Sequence, residues 1–359
     1  MKKHNFSAGP AILPQPVLEQ SAQAAVDFNG MGLSILEISH RSPEFTAVLN
    51  EAVALVRDLL QLSEEYGVLF LQGGASSQFF MSAMNLLGAS ETAGYIDTGS
   101  WSAKAIKEAR LFGKVEVLAS SEAADYTYIP REFDIPGQLR YIHLTSNNTI
   151  FGTEFQHWPE TDTPFVADMS SNIFSRPIDV NRFDLIYAGA QKNMGPAGVT
   201  LVIVRKEALG KTGRQLPTML DYHTHIQKNS SFNTPPVFSI YVSMLTLRWV
   251  KASGGLGAMA QRAEERAGLV YDEIDRNPLF RGIVTQPADR SQMNATFVMA
   301  EGYEALESRF LETCTEAGIS GIKGHRSVGG FRASIYNAMP LESVQLLVDV
   351  MREFSRTHA

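Results

Sequence analysis

The chain has 359 residues, 44% of them hydrophobic and 19% charged, with a formal net charge of -7. That length exceeds what one hydrophobic core usually supports, so a larger and a smaller domain are expected, and the ordinary composition excludes extensive disorder. The negative charge opposes non-specific binding to nucleic acid or anionic membranes, so any basic cluster needs a local explanation.

In chain order, the N-terminus reaches Pro10 and Pro14 before any apolar run long enough for a signal peptide or membrane span, so a soluble, cytoplasmic protein is expected. The NNT sequon at Asn147 therefore carries no weight. Ser42 as N-cap and Pro43 as first helical residue start a helix whose face carries Phe45, Val48, Leu49, Ala52, Val53, Val56, Leu59 and Leu60. From Tyr66 to Arg205, strand-like and helix-like stretches alternate, which predicts an α/β fold with a mostly parallel sheet. The runs VLFL, AGYI, VEVL, LRYIHL, PFVA, FDLIYA and GVTLVIV read as its seven buried strands. From Pro236 the pattern turns helical, and from Asn294 short strands mix with helices. The SGGLG stretch sets the boundary at Gly254 and Gly255, with residues 1–254 as an N-terminal segment plus large domain and 255–359 as a small α+β domain. There is no internal repeat. Cys314, the only cysteine, lies in a helix-like stretch and reads as an ordinary thiol.

Five segments carry chemistry. In FDLIYAGAQKNMGPAGVTLVIV, Lys192 stands between two strands among small residues. Burial there lowers an amine's pKa and frees it for Schiff-base chemistry, although a lysine capping a turn explains this segment equally well. In PFVADMSSN, Asp168 ends a strand, where it suits a protonated pyridine nitrogen or, more simply, a helix cap. In VLFLQGGASSQFF, the amides of Ala75 and Ser76 open a helix and form an anion cradle, or only a generic turn; the spacing matches neither a Walker loop nor a dinucleotide fingerprint. Trp101, after a strand and turn, offers a flat face for stacking or a core packing group, and Thr149 offers a hydroxyl at a strand end. The succession of cradle, aromatic, hydroxyl, carboxylate and lysine on successive strands is much less expected by chance than any one of them.

The segments FSAGPAILP, EISHRS, GGAS, GSWS, ADMSSNIFSRPIDV, YAGAQKNMGPAG, FNTPP and GHRSVGGFRASIYNAMP resemble the phosphoserine aminotransferase family, class V aminotransferases of the fold-type-I pyridoxal 5'-phosphate enzymes. The likeness runs from Phe6 to the C-terminal helix. It implies that Lys192 carries the cofactor as a Schiff base and moves the substrate's α proton, that Trp101 stacks on the ring, and that Thr149 and Asp168 hold its oxygen and nitrogen. It further implies that Ala75, Ser76 and Gln191 bind the phosphate, and that Asn233 and Thr234 reach it from the other subunit of a homodimer with shared sites. Some relatives carry arginine where this chain has Ser76. The implied reaction moves an amino group between L-glutamate and 3-phosphohydroxypyruvate, giving O-phospho-L-serine in serine biosynthesis, with vitamin B6 synthesis as a second use in some relatives.

His40, Arg41, His325, Arg326 and Arg332 form the basic set expected to bind substrate phosphate and carboxylate, whereas Arg262 and Arg266 read as surface salt-bridge residues. His223 and His225 lack further ligands at metal spacing, so no metal is expected. A cysteine desulfurase needs a cysteine on a mobile loop, which Cys314 does not supply. A serine or alanine glyoxylate aminotransferase leaves the basic cluster unexplained. A non-catalytic phosphometabolite-binding protein has no need of Lys192.

Overall fold

The computed structural model of the chain describes residues 3–359. A short strand β1 (His4–Asn5) and helix α1 (Gln15–Val26) precede α2 (Pro43–Leu60). Helix α2 begins as its sequence dictates: the Ser42 hydroxyl accepts a hydrogen bond from Phe45 N at 3.2 Å, and Pro43 occupies the first turn, where a missing amide costs nothing. Phe45, Val48, Leu49, Ala52, Val56 and Leu60 are buried along its inner face, joined by Leu55.

The seven apolar runs become β2 (Tyr66–Leu71), β3 (Thr92–Asp97), β4 (Lys114–Ser120), β5 (Leu139–Thr145), β6 (Phe165–Asp168), β7 (Phe183–Gly189) and β8 (Thr200–Arg205). Helices α3 (Gly74–Leu86) and α4 (Ser100–Ala109) follow β2 and β3. The strands form one sheet in the order β2-β8-β7-β6-β5-β3-β4, in which only β8 runs antiparallel to its neighbours. Six strands therefore end on the same edge, and the reversal from β7 into β8 turns there too. That edge receives the residues after β2, β3, β5, β6 and β7, which are the five segments singled out above.

One expectation needs correction. The run VEVL reads as a buried strand, yet β4 exposes Lys114, Glu116, Val117 and Ser120. It pairs with β3 alone and closes the sheet, so its outer side has no further strand to cover it.

The remaining elements are α5 (Tyr222–Gln227), α6 (Val237–Ala252), α7 (Gly255–Arg276), β9 (Phe280–Gly282), β10 (Asn294–Met299), α8 (Glu307–Glu316), β11 (Ile319–Ser320), β12 (Phe331–Ser334) and α9 (Leu341–His358). Gly254, at φ 100, separates α6 from α7 in a backbone conformation that suits glycine. Strands β12, β10 and β9 form an antiparallel sheet over a second core. Its centre is a group of phenylalanines, with Phe280 and Phe310 centroids 4.8 Å apart and Phe310 and Phe331 4.9 Å apart. The start of the chain joins this second core: β1 pairs in parallel with β11, and Phe6 is fully buried there.

Arg266 is not a surface residue. It is 2% exposed and donates from Nη1 to the carbonyls of Asn337 and Met339 at 2.9 and 2.8 Å. Its position on the inner face of α7, one helical turn after the buried Ala263, explains the burial. Cys314 is buried in α8, and burial pushes its thiol up to about 12, which suits packing rather than nucleophilic chemistry. No described helix is long and apolar enough to cross a membrane.

Candidate active site

At the shared strand edge lies a cavity of about 300 Å³. The first side of its wall is the α3 N-terminus. Gly73 and Gly74 take φ 94 and 66, so the chain turns sharply from β2 and presents Gly74, Ala75 and Ser76 to the cavity. A Cβ on Gly73 would stand 2.0 Å from Ser77 Oγ, so this turn admits only glycine. No side chain caps α3, leaving its first amides as an anion cradle with the helix dipole behind them.

Opposite stand Lys192, on the β7–β8 turn, and Asp168, the last residue of β6. Burial drives the Lys192 pKa down to about 8; the Asp168 carboxylate opposes that drop and the Arg332 guanidinium adds to it. Burial likewise raises the Asp168 pKa, while the Lys192 charge and bonds from Ser170 hold it down. Ser170 N donates to Asp168 Oδ1 at 2.9 Å, and the aspartate also faces the lysine electrostatically. The residues after Asp168 form a turn and not a helix, so the carboxylate closes that turn and does not cap a helix.

Trp101, at the second position of α4, donates from Nε1 to Thr149 Oγ1 at 3.2 Å, and Lys192 Nζ lies 5.8 Å from its ring centroid. The Thr149 carbonyl accepts from Arg332 Nη1 at 2.7 Å. Thr149 therefore ties the aromatic wall to the arginine, with its hydroxyl proton left to donate elsewhere. Arg332 comes from the small sheet: along β12, Phe331 and Ala333 are buried while Arg332, between them, points to the other face. Its Nε is buried without a partner. His325 and Gln191 complete the predicted residues lining the cavity.

The other predicted residues stand elsewhere on the chain. His40 and Arg41 lie on the loop before α2, with Arg41 Nε 3.4 Å from His40 Nε2. Arg326 is exposed beside His325, whose pKa is lowered by burial first and then by the charges of Arg332 and Arg326. Asn233 and Thr234 sit on the loop before α6, where Thr234 is exposed and its carbonyl accepts from Gln72 Nε2 at 3.0 Å. None of these five lines the cavity within one chain. His225 is buried with Nε2 2.9 Å from the Met219 carbonyl, which its N–H donates to.

Ala8, Gly9, Phe79, Ile150 and Ser170 line the cavity without having been singled out. For Gly9 the signal was present in FSAGP, but no chemistry marked it. Its backbone takes φ +148, which L side chains rarely adopt, and Ala11 N donates to the Gln191 carbonyl at 2.9 Å, tying the N-terminal segment to the lysine turn.

A parallel-sheet edge holding a pKa-lowered lysine, a buried aspartate, a flat aromatic wall and an anion cradle defines a fold-type-I pyridoxal-phosphate-dependent aminotransferase. The chain belongs to the class-V aminotransferase family, which matches residues 3–347. Within it, the chain is 58% identical over 358 residues to the phosphoserine aminotransferase of Phocaeicola vulgatus, with 100% of both chains covered. Its structure is similar to the phosphoserine aminotransferase from Bacillus circulans subsp. alkalophilus (TM-score 0.95, 48% identity, 100% of this chain and 99% of that one). It is also similar to the pyridoxal-phosphate-bound phosphoserine aminotransferase of Trichomonas vaginalis (TM-score 0.91, 37% identity, 98% and 100% covered).

Proposed function

We propose that this chain is a phosphoserine aminotransferase that uses pyridoxal 5'-phosphate to move an amino group between L-glutamate and 3-phosphohydroxypyruvate, in serine biosynthesis. The observation that carries it is the pairing of Lys192 and Asp168 in one cavity with Arg332 and His325, neither of which has a carboxylate partner among the described residues. The cavity's residues fit the cofactor. Lys192 would hold its aldehyde carbon, Trp101 its ring face, Thr149 and Asp168 its ring oxygen and nitrogen, and Ala75, Ser76 and Gln191 its phosphate. The bound cofactor supplies an electron sink for the charge left when the substrate's α carbon loses a proton.

Around it, each side chain has a physical task. With its pKa lowered to about 8 from the ordinary 10.5, Lys192 keeps a far larger share of neutral amine near physiological pH than an exposed lysine, so Nζ can take the proton from the substrate's α carbon. Asp168, buried beside the lysine, would pair as a carboxylate with the cofactor's ring nitrogen and favour its protonated form. Arg332 binds the α-carboxylate common to every substrate, held in aim by its bond to Thr149. The distal group, a phosphate in phosphoserine and a carboxylate in glutamate, falls to His325 and Arg326, together with His40 and Arg41. The phosphorylated four-carbon homologue used in vitamin B6 synthesis carries the same distal phosphate and is a second substrate of this proposal.

The assembly we infer is a cytoplasmic homodimer with shared sites. Exposed Val26, Met31, Leu33 and Leu36 precede His40 and Arg41, an apolar run that favours burial against a second copy and would bring that pair to the neighbour's cavity. Asn233 and Thr234, outside their own cavity, would complete the neighbour's phosphate site in the same way. The division at Gly254 into large and small domains, with the first residues packed on the small one, belongs to the same proposal.

A coupled assay for glutamate-dependent formation of phosphoserine tests the reaction, and borohydride reduction followed by peptide mapping tests the lysine. Label on Lys192 and turnover of 3-phosphohydroxypyruvate are expected. A label on another lysine, or turnover of glyoxylate in preference to the phosphorylated acid, overturns the proposal.

A further inference from the structure

We infer that Lys104 is a specificity-determining residue of this site, a cation at the cavity mouth that recognises the phosphate of the substrate; the inference rests on the function proposed above. Lys104 lies three residues after Trp101 on α4, so both side chains share one helical face. Its Nζ is 4.5 Å from the Trp101 ring centroid, a cation held against the same indole that walls the cavity and bonds Thr149. The indole orients the lysine without neutralising it.

No carboxylate pairs with Lys104 among the described residues, although most arginines of this acidic chain have found one. Its charge reaches the cavity: after burial, the groups that lower the His325 pKa are Arg332 on β12, Arg326 next to His325 in sequence, and Lys104 on α4. These cations come from both sides of the cleft, the large sheet's helix and the small sheet's strand and loop. None of them has an anionic partner among the described residues. Like charges gathered without counter-ions repel one another, and the cheapest relief is an anion of high charge placed between them. A phosphate dianion relieves more of that repulsion than a carboxylate does. Ser327 N donates to His325 Nδ1 at 3.2 Å, so neutral His325 carries its proton on Nε2 and remains a donor when the cations keep it unprotonated.

Lys104 is exposed, so each contact is screened, and the expected effect is moderate. Lys104→Met removes the charge and keeps the stem; Lys104→Arg keeps the charge. With Lys104→Met, kcat/KM should fall about threefold to fivefold for phosphoserine and less than about twofold for glutamate in separated half-reactions, and Lys104→Arg should restore most of the loss. Two readouts do not depend on turnover. Calorimetric affinity of the holoenzyme for inorganic phosphate should drop in Lys104→Met, and the His325 pKa, followed by NMR of histidine-labelled protein, should rise because a repelling cation has gone. Equal losses for both substrates, or unchanged phosphate affinity with an unmoved His325, overturn the inference. If the wild-type protein itself does not transaminate phosphoserine, the functional proposal fails instead, and the phosphate and His325 measurements still decide whether Lys104 faces the cavity.

Discussion

Replacing Asp168 by Asn keeps the side-chain shape and removes one charge, and it should have opposite effects on two measurements. In the cofactor-free protein, burial lowers the Lys192 pKa to about 8 while the Asp168 carboxylate resists that fall. Without the anion the ammonium form loses its stabilising neighbour, so the pKa must drop further. A unit charge ~6 Å away at an effective dielectric of about 20 is worth about 3 kcal/mol, or about 2 pH units, and solvent in the open cavity reduces that to about 1–2. Capture of added pyridoxal phosphate needs the neutral amine, so the acid limb of the capture rate should move down by that amount. At pH 7 the variant should capture cofactor roughly fivefold to tenfold faster. Turnover should fall instead, by about tenfold to a hundredfold or more, because a charge-assisted bond to the ring nitrogen is lost. Stopped-flow absorbance across the pH range, read as the ratio of variant to wild type so that the cofactor's own ionisations cancel, measures the first effect. A limb that stays in place or moves up shows that the carboxylate does not act on Lys192, and unchanged turnover removes Asp168 from the chemistry.

Arg332→Ala should damage both half-reactions by about tenfold to a hundredfold, since both substrates present an α-carboxylate, whereas Arg326→Ala should penalise phosphoserine more than glutamate; equal losses for Arg326→Ala would end the distal-phosphate assignment. The folded pKa of Lys192, about 8, lies below its ordinary 10.5, so between those values the unfolded chain binds more protons and the cofactor-free protein should gain stability as pH rises. Lys192→Met should lack that gain and be more stable than wild type at pH 7 by up to about 3 kcal/mol, read from denaturant midpoints; a parallel pH response of both proteins would contradict the lowered pKa. Mixing Lys192→Ala protein with Asn233→Ala, Thr234→Ala protein should restore activity through dimers with one undamaged site, and subunit exchange without recovery would mean that each site is built from one chain.

The strands and their order in the chain were legible because burial on both faces writes itself as continuous apolar runs, and Ser42-Pro43 announced α2 through local capping chemistry alone. Lys192, Asp168, Trp101, Thr149 and the glycine turn before Ala75 were legible for a related reason: each directly follows or ends a strand, and parallel strands deliver their ends to one edge. What the residues could not reveal depended on partners distant in sequence. Whether VEVL was buried depended on its place at the sheet edge, and whether Arg266 was solvated depended on the 337–339 turn closing over it. The dual role of Asp168, turn closure and counter-charge, required knowing that the next turn but one would return a lysine to its side. Likewise Gly9 and Lys104 carry no motif that singles them out: one matters because the N-terminal segment, whose strand pairs with β11, passes beside Lys192, the other because the fold brings its charge within reach of His325. Local propensity and periodicity act over a few residues and survive in the sequence, whereas burial, pKa and charge clustering are set by neighbours that only the closed fold brings within a few ångströms.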